Sequence, residues 1–307
     1  MRNRAHHHTQ LQNAGAESAV ARSEERKLSP DLLYGFILLA AVAHATWNAL
    51  VKSAADRLLM MAAIRLVGLV FALVVLPFVP WPSPATWIWL ALASAATFAY
   101  YGLLLESYRL GDLSHVYPLA RGSAPILLAL IAFVAIDERL APTQITAVAL
   151  ITAGILVLVI GKGGDAVAVG FALATGISIA AYSFLGGLGV RSSTSVLAFQ
   201  AWLEILTGVG LLGFVTFRRP DQIRAFARTS GAIGLFAGVL SVGGYLAFLA
   251  AATVLPLAPI AALRESSLIF GTIIGTVVLK EPFGARRIAA AGLVTIGVVA
   301  LAAGASH

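Results

Sequence analysis

Arg121-Gly-Ser-Ala-Pro-Ile126 and Arg264-Glu-Ser-Ser-Leu-Ile269 open two stretches, 121–161 and 264–304, that align without a gap at an offset of 143 residues. The alignment lays Asp137-Glu-Arg-Leu140 on Lys280-Glu-Pro-Phe283. Arg121 falls on Arg264, Ser123 on Ser266, Glu138 on Glu281, Gly154 on Gly297 and Gly161 on Gly304. Of 41 aligned positions 13 are identical, and shared apolar composition does not bring an arginine, a serine and a glutamate into register. The chain is a duplication, and its function is to be sought where two half-molecules meet.

Hydrophobic residues make up 59% of the 307 and charged residues 11%. A soluble domain averages about 45–50% and 25%, so there is too little polar surface here to coat a water-soluble globule. The apolar runs are about 20 residues long, enough to cross a hydrocarbon core of about 30 Å at about 1.5 Å per residue. They lack the ten-residue alternation of a membrane barrel. The expected fold class is an all-α polytopic membrane protein. The net charge of +7 is scattered among short loops and a tail. It reads as headgroup anchoring and topology, with no nucleic-acid partner implied. There is no cysteine, hence no disulfide and no thiol chemistry. The first apolar run starts near Leu32, too late and too long for the core of a cleavable signal peptide.

Residues 1–30 are polar and are expected to be a disordered tail, in which His6-His7-His8 is too short to make a metal site. Ten spans are expected near 32–52, 58–79, 86–108, 113–136, 143–160, 167–189, 196–217, 231–253, 256–279 and 287–303. Pro80-Trp-Pro-Ser-Pro84 closes the second, Gly161-Lys-Gly-Gly-Asp165 the fifth and Arg218-Arg-Pro-Asp221 the seventh. The duplication extends backward more weakly. Gly35-Phe36 lies on Gly170-Phe171, which puts Trp47 on Tyr182 and Asn48 on Ser183 at an offset of 135. Ala62-Ala-Ile-Arg65 lies on Ala201-Trp-Leu-Glu204 at an offset of 139. The expected units are therefore 31–162 and 163–307, with five spans each. An odd number makes the halves insert in opposite orientations, an inverted repeat with a pseudo-two-fold axis in the membrane plane. That geometry gathers the first and sixth, or fourth and ninth, spans around a shared central space.

An ionisable group within a span costs at least about 2.5–3.5 kcal/mol near the bilayer centre, so it faces a cavity or a partner. Seven qualify: His44, Arg65, Glu106, Arg121, Glu204, Arg264 and Glu265. Without His44 these are three basic against three acidic, an interior close to neutral that suits a neutral or zwitterionic solute. Arg121 and Arg264 each lie near prolines (Pro118 and Pro125; Pro256 and Pro259), which free backbone carbonyls. An arginine fork beside such backbone can hold a carboxylate or phosphate, and a structural ion pair is the competing reading. Arg65 and Glu204 occupy equivalent places with opposite charge, which points to a salt bridge across the halves. Gln200, Glu204 and Thr207 share one helix face, as do His44, Trp47, Asn48 and Lys52. Tyr100, Tyr101, Tyr182 and Tyr245 sit well inside spans, where with Trp47 they can wall a pocket. Glu106 and Arg109 are placed to pair near the membrane edge. Glu138 and Glu281 are placed to cap the fifth and tenth spans. Gly271-Thr-Ile-Ile-Gly275 reads as a close-packing motif.

No P-loop, HExxH, GxSxG or metal-spaced carboxylate cluster appears, so catalytic residues, a metal and a cofactor are not expected and the chain is not read as an enzyme. The candidate cavity residues are His44, Trp47, Asn48, Tyr101, Arg121, Ser123, Tyr182, Gln200, Glu204, Tyr245, Arg264 and Ser267.

The doubled five-helix unit resembles the ten-helix EamA-type branch of the drug/metabolite transporter superfamily. So do Ala45-Thr-Trp-Asn-Ala-Leu-Val-Lys52, Arg121 with Ser123-Ala-Pro-Ile126, Asp137-Glu-Arg-Leu140 and Lys280-Glu-Pro-Phe283. The resemblance covers nearly all of 32–304. It implies a multi-pass secondary carrier of the bacterial inner membrane that moves small metabolites, often outward, by alternating access. It also implies a largely apolar cavity lined by the third, fourth, eighth and ninth helices among others, and both termini in the cytoplasm. Loop charges alone point the other way. Only Arg139, Arg191 and five tail residues would then be cytoplasmic, against eleven basic residues opposite. The first span carries no acidic residue within the membrane, so the proton exchange of the small multidrug-resistance relatives is not carried over. The expected function is a permease, an exporter, for small organic metabolites such as amino-acid-like solutes. Its partners are a small-molecule substrate and membrane lipid, and the protein is expected to be a monomer or weak homodimer. The alternatives are a cationic drug exporter and a non-transporting lipid-handling or assembly factor, whose polar residues would be scattered instead of converging.

Overall fold

The computed structural model describes residues 30–110, 113–158, 165–270 and 285–305. These form α1 (Pro30–Ser53), α2 (Arg57–Val75, ending in a tight turn Leu76–Phe78), α3 (Pro84–Leu110), α4 (Leu113–Ile136) and α5 (Pro142–Val157). The second half gives α6 (Ala166–Arg191), α7 (Val196–Arg218), α8 (Pro220–Ala252), α9 (Leu257–Glu265) and α10 (Ala285–Ala305), with no strand among the described residues. Seven of these helices, α1–α4 and α6–α8, are long and apolar enough to cross a membrane, whereas α5 and the apolar part of α10 (Ile288–Leu301) are shorter.

Local chemistry sets the helix starts. The Asp56 carboxylate accepts the Leu58 and Leu59 N–H groups at 3.0 and 3.1 Å and opens α2. Ser195 does the same for α7 through the Ala198 N–H at 3.2 Å. One boundary departs from expectation: α8 begins at Pro220, not near 231. Proline at the first helical position loses no hydrogen bond there, and Asp221 complements the dipole of the first turn, so Arg218-Arg-Pro-Asp221 also starts a helix. The ninth span is interrupted as well, by a turn at Ser266 before helix resumes over 267–270. The tail with His6–His8, the loop at 161–164, the Gly271–Gly275 motif and Glu281 lie outside the described residues.

The most extensive packing joins one half of the chain to the other. α1 lies on α8, α2 on α7 and α8, α3 on α6, α4 on α6 and α9, and α5 on α10. The α5–α10 contact is reciprocal. A side chain at Gly154 would meet the Ala290 carbonyl at 2.9 Å and Val294 at 2.9 Å, and one at Gly297 would meet Ile151 at 2.7 Å and the Ala147 carbonyl at 3.0 Å. Ala290, Val294 and Gly297 are the duplicates of Ala147, Ile151 and Gly154, so the two helices run antiparallel and use one surface twice. Because backbone oxygen blocks the space, Gly154→Leu is expected to destabilise the protein by about 1–3 kcal/mol, read as a lower melting temperature in detergent. Unchanged melting would show that the helices do not meet this closely.

Outside, Leu39 and Val134 are 66% and 81% exposed, as a lipid-facing surface requires. Inside, Ile37, Leu90, Phe199, Phe248, Leu249, Leu257 and Ile260 form a fully buried apolar layer. Its members lie toward the start of α1, α3, α7 and α9 and the end of α8, so the layer closes one end of the bundle.

Candidate functional site

Above that layer the helices part around a cavity of about 120 Å³. α1 contributes His44 and Trp47, α2 Met61 and Arg65, α3 Thr97, Tyr100 and Tyr101, and α4 Arg121. The second half contributes Tyr182 from α6, Leu203, Glu204 and Thr207 from α7, Ser241, Gly244 and Tyr245 from α8, and Arg264 from α9. Trp47, Met61 and Tyr100 are only half-buried, so the cavity faces away from the sealed end.

Two ion pairs tie the halves across this space. The Arg65 guanidinium donates Nη1–H to Glu204 Oε2 at 3.0 Å, as the sequence pairing predicts. Gly68, one turn along α2, lies directly against the Glu204 carboxylate, where any side chain would collide. The second pair is deeper. Arg121 donates Nε–H to Glu265 Oε2 at 2.5 Å, and the other Glu265 oxygen stands 3.3 Å from Arg264 Nη2. Glu265 is fully buried and the two arginines nearly so, so one carboxylate is shared between two cations. Its duplicate in the first half is Gly122, which leaves this shared carboxylate without a twin.

Arg264 is held on three sides. Its Nη2 also donates to Ser183 Oγ at 3.2 Å, and its guanidinium carbon lies 4.4 Å from the Phe248 ring centroid and 5.9 Å from that of Tyr182. These are cation–π distances. Among the described residues its Nε–H has no hydrogen-bond partner, and neither does His44 Nε2. Leaving a buried donor unpaired costs about 1–3 kcal/mol. Pro125 lies inside α4 and has no N–H for the Arg121 carbonyl, so proline does free backbone beside Arg121, whereas beside Arg264 the loosening comes from Ser266. α4 is continuous through Pro118 and Pro125, and Pro256 and Pro259 stand at the start of α9. The Ser266 hydroxyl donates to the Leu263 carbonyl at 2.5 Å and competes with the helix ladder immediately after Arg264 and Glu265.

The interior is not neutral. Glu106 pairs with Arg109 at 2.8 Å with both side chains exposed, away from the cavity. What remains around the cavity among the described residues is Arg65, Arg121 and Arg264 against Glu204 and Glu265, one cation in excess.

Eight expected residues line the space: His44, Trp47, Tyr101, Arg121, Tyr182, Glu204, Tyr245 and Arg264. Four do not. Asn48 turns its amide back to the His44 carbonyl at 2.7 Å, and Ser123 donates to the Ala120 carbonyl at 3.0 Å where α4 packs on Gly176. Gln200 is fully buried and donates to the Val242 carbonyl at 2.9 Å, and Ser267 is buried beyond the helix break. Glu138 was expected to cap α5, yet its Oε1 accepts the Leu257 N–H at 2.7 Å and caps α9 instead. Sequence reasoning missed Ala40, Met61, Thr97, Leu203, Ser241 and Gly244. All but Gly244 lie four residues before a residue that it singled out, His44, Arg65, Tyr101, Thr207 and Tyr245, so helical spacing from those residues would have found them.

A solved crystal structure shares the fold, with a TM-score of 0.66 at 16% identity over 88% of this chain and 95% of that one. No curated protein matches the sequence. The EamA-like transporter family matches residues 32–160 and again 166–303, each half of the chain separately. The chain is a multi-pass membrane protein with two copies of that unit, and it belongs to the EamA-like transporter family.

Proposed function

We propose that this protein is a secondary transporter that exports small organic solutes bearing a carboxylate, amino-acid-like molecules among them, across the bacterial inner membrane by alternating access. The observation that carries the reading is Arg264: a buried guanidinium facing the cavity whose Nε–H has no partner among the described residues, in a wall where those residues carry one cation in excess. A monoanionic carboxylate would complete both the hydrogen bonding and the charge. Tyr182, Tyr245 and Trp47 would hold the organic part.

The antiparallel, reciprocal contact of α5 with α10 supports the inverted repeat. A two-fold axis that relates antiparallel helices lies across them, in the membrane plane, which is the arrangement that two opposed sets of five spans would have. The convergence of eight polar and aromatic candidates on one cavity counts against a non-transporting lipid-handling or assembly factor. Cationic drugs are a poorer fit, because Glu204 already serves Arg65 and Glu265 serves two arginines.

A ligand that binds only the folded state raises the melting temperature by mass action. In a thermal-shift screen of amino acids, organic acids, nucleosides, sugars and cationic drugs, stabilisation confined to carboxylates is expected. Stabilisation by cations alone would replace this substrate class with drug-like cations bound at Glu204 and the tyrosines.

A further inference from the structure

Past the apolar layer, the sealed end of the bundle carries an ionic arrangement that the cavity does not use. α4 ends at Ile136, and Asp137 takes a φ of 51°, a left-handed conformation that a non-glycine residue adopts only at a cost. The turn returns the Glu138 N–H to the Ala132 carbonyl at 3.2 Å and sends the Glu138 side chain across the bundle. Its Oε2 accepts from both Nη1 and Nη2 of Arg191, the last residue of α6, at 3.2 Å each. Its Oε1 caps α9 at Leu257. Arg191 in turn donates Nε–H to the Ala252 carbonyl at 2.8 Å and Nη2–H to that of Leu255 at 3.0 Å. One ion pair thus caps the end of α8 and the start of α9, each with the charge its dipole favours. It also ties the α4–α5 turn to α6. Just inside, Gly187 lies against Leu257, and Gly186 lies against the hydroxyl of the cavity residue Tyr245.

The opposite end is built differently. There Asp56, in the turn between α1 and α2, accepts from Arg219 at 2.7 Å. Identical halves would give an alternating carrier two equal states. Both ends are tied, but unequally: Arg191–Glu138 is 29% and 11% exposed and also caps two helices, whereas Arg219–Asp56 is 41% and 27% exposed, and the stronger tie weights the equilibrium toward the state closed at its end.

We propose that the Arg191–Glu138 clasp is a gate latch, which holds this end shut in the resting protein and parts when the cavity opens to that side. The inference rests on the alternating-access reading above. The chain has no cysteine, so single thiol reporters have no background. Ala261→Cys, buried on α9 between the clasp and Arg264, reports on the clasped side, and Ser241→Cys in the cavity wall reports on the other. The full-length protein in oriented vesicles is labelled from each face with a charged, membrane-impermeant thiosulfonate. Glu138→Gln removes the ion pair but keeps an oxygen for the Leu257 N–H. It is expected to speed labelling at 261 from the clasped face about tenfold, as loss of a charge-assisted pair shifts the population, and to slow labelling at 241 from the opposite face. No change at 261, or faster labelling at both positions, would overturn the latch, because a helix cap alone loosens without alternating. Gly187→Val wedges that end open against Leu257 whatever the clasp does. Opposed shifts with the wedge but not with Glu138→Gln would overturn the latch and leave the carrier standing. Opposed shifts with neither would overturn both.

Discussion

Arg264→Ala is expected to abolish transport while the protein still folds and inserts. Glu265 keeps Arg121 as its partner, so the deletion leaves no buried carboxylate alone. What disappears is the guanidinium that faces the cavity. Truncating one side of a buried, hydrogen-bonded charge pair costs about 2–5 kcal/mol, a loss of at least about thirtyfold in the flux of a carboxylate through proteoliposomes. Arg264→Lys retains the charge but loses the planar fork that bonds Ser183 and stacks on Phe248, and is expected to fall between the two. The thermal shift given by carboxylate ligands should vanish in parallel with flux. Wild-type flux in Arg264→Ala would remove this residue, and with it the carboxylate, from the mechanism.

Glu265→Ala is expected to have the largest effect on stability. The substitution strands two nearly fully buried arginines around one missing carboxylate. Breaking a buried pair by removing one partner costs about 3–5 kcal/mol, seen as a steep fall in melting temperature and in the yield of folded protein. Arg121→Ala in the same chain should recover part of the loss, because it removes one of the stranded charges. The two substitutions are therefore expected to be far from additive. A wild-type melting temperature for Glu265→Ala would mean that the arginines find other partners.

The duplication was legible where the sequence repeats itself: the match of Arg121–Gly161 to Arg264–Gly304 pointed to the two halves that the family matches separately. The pairing of Arg65 with Glu204 was also readable, because duplicate positions of opposite charge are poor neighbours for lipid and good ones for each other. The part played by Glu265 was hidden. It has no duplicate, and nothing in a sequence says which of several carboxylates reaches two arginines from a broken helix. Glu138 was read as a cap for the next helix in sequence, and the left-handed turn at Asp137 carried it to a helix more distant in the chain. Helix α8 was started too late because Arg218-Arg-Pro-Asp221 serves equally as a stop and a start, and only the partner surface decides. Asn48 and Ser123 were placed on the right faces, yet each hydroxyl or amide was taken up by its own helix backbone, a competition that spacing cannot predict.

A chain whose first five helices find their main partners among the last five is made in an awkward order. Arg121 and Glu265 are 144 residues apart in sequence. At roughly 5–20 residues per second, synthesis separates the arrival of one from the other by about 7–30 s. Through that interval Arg65 and Arg121 are in or near the bilayer and the carboxylates that will neutralise them do not yet exist. Water, headgroups or the insertion machinery must shelter them meanwhile. The vulnerable lifetime of the half-made protein is therefore fixed by how far apart the partners lie along the chain, however close they stand once it is complete.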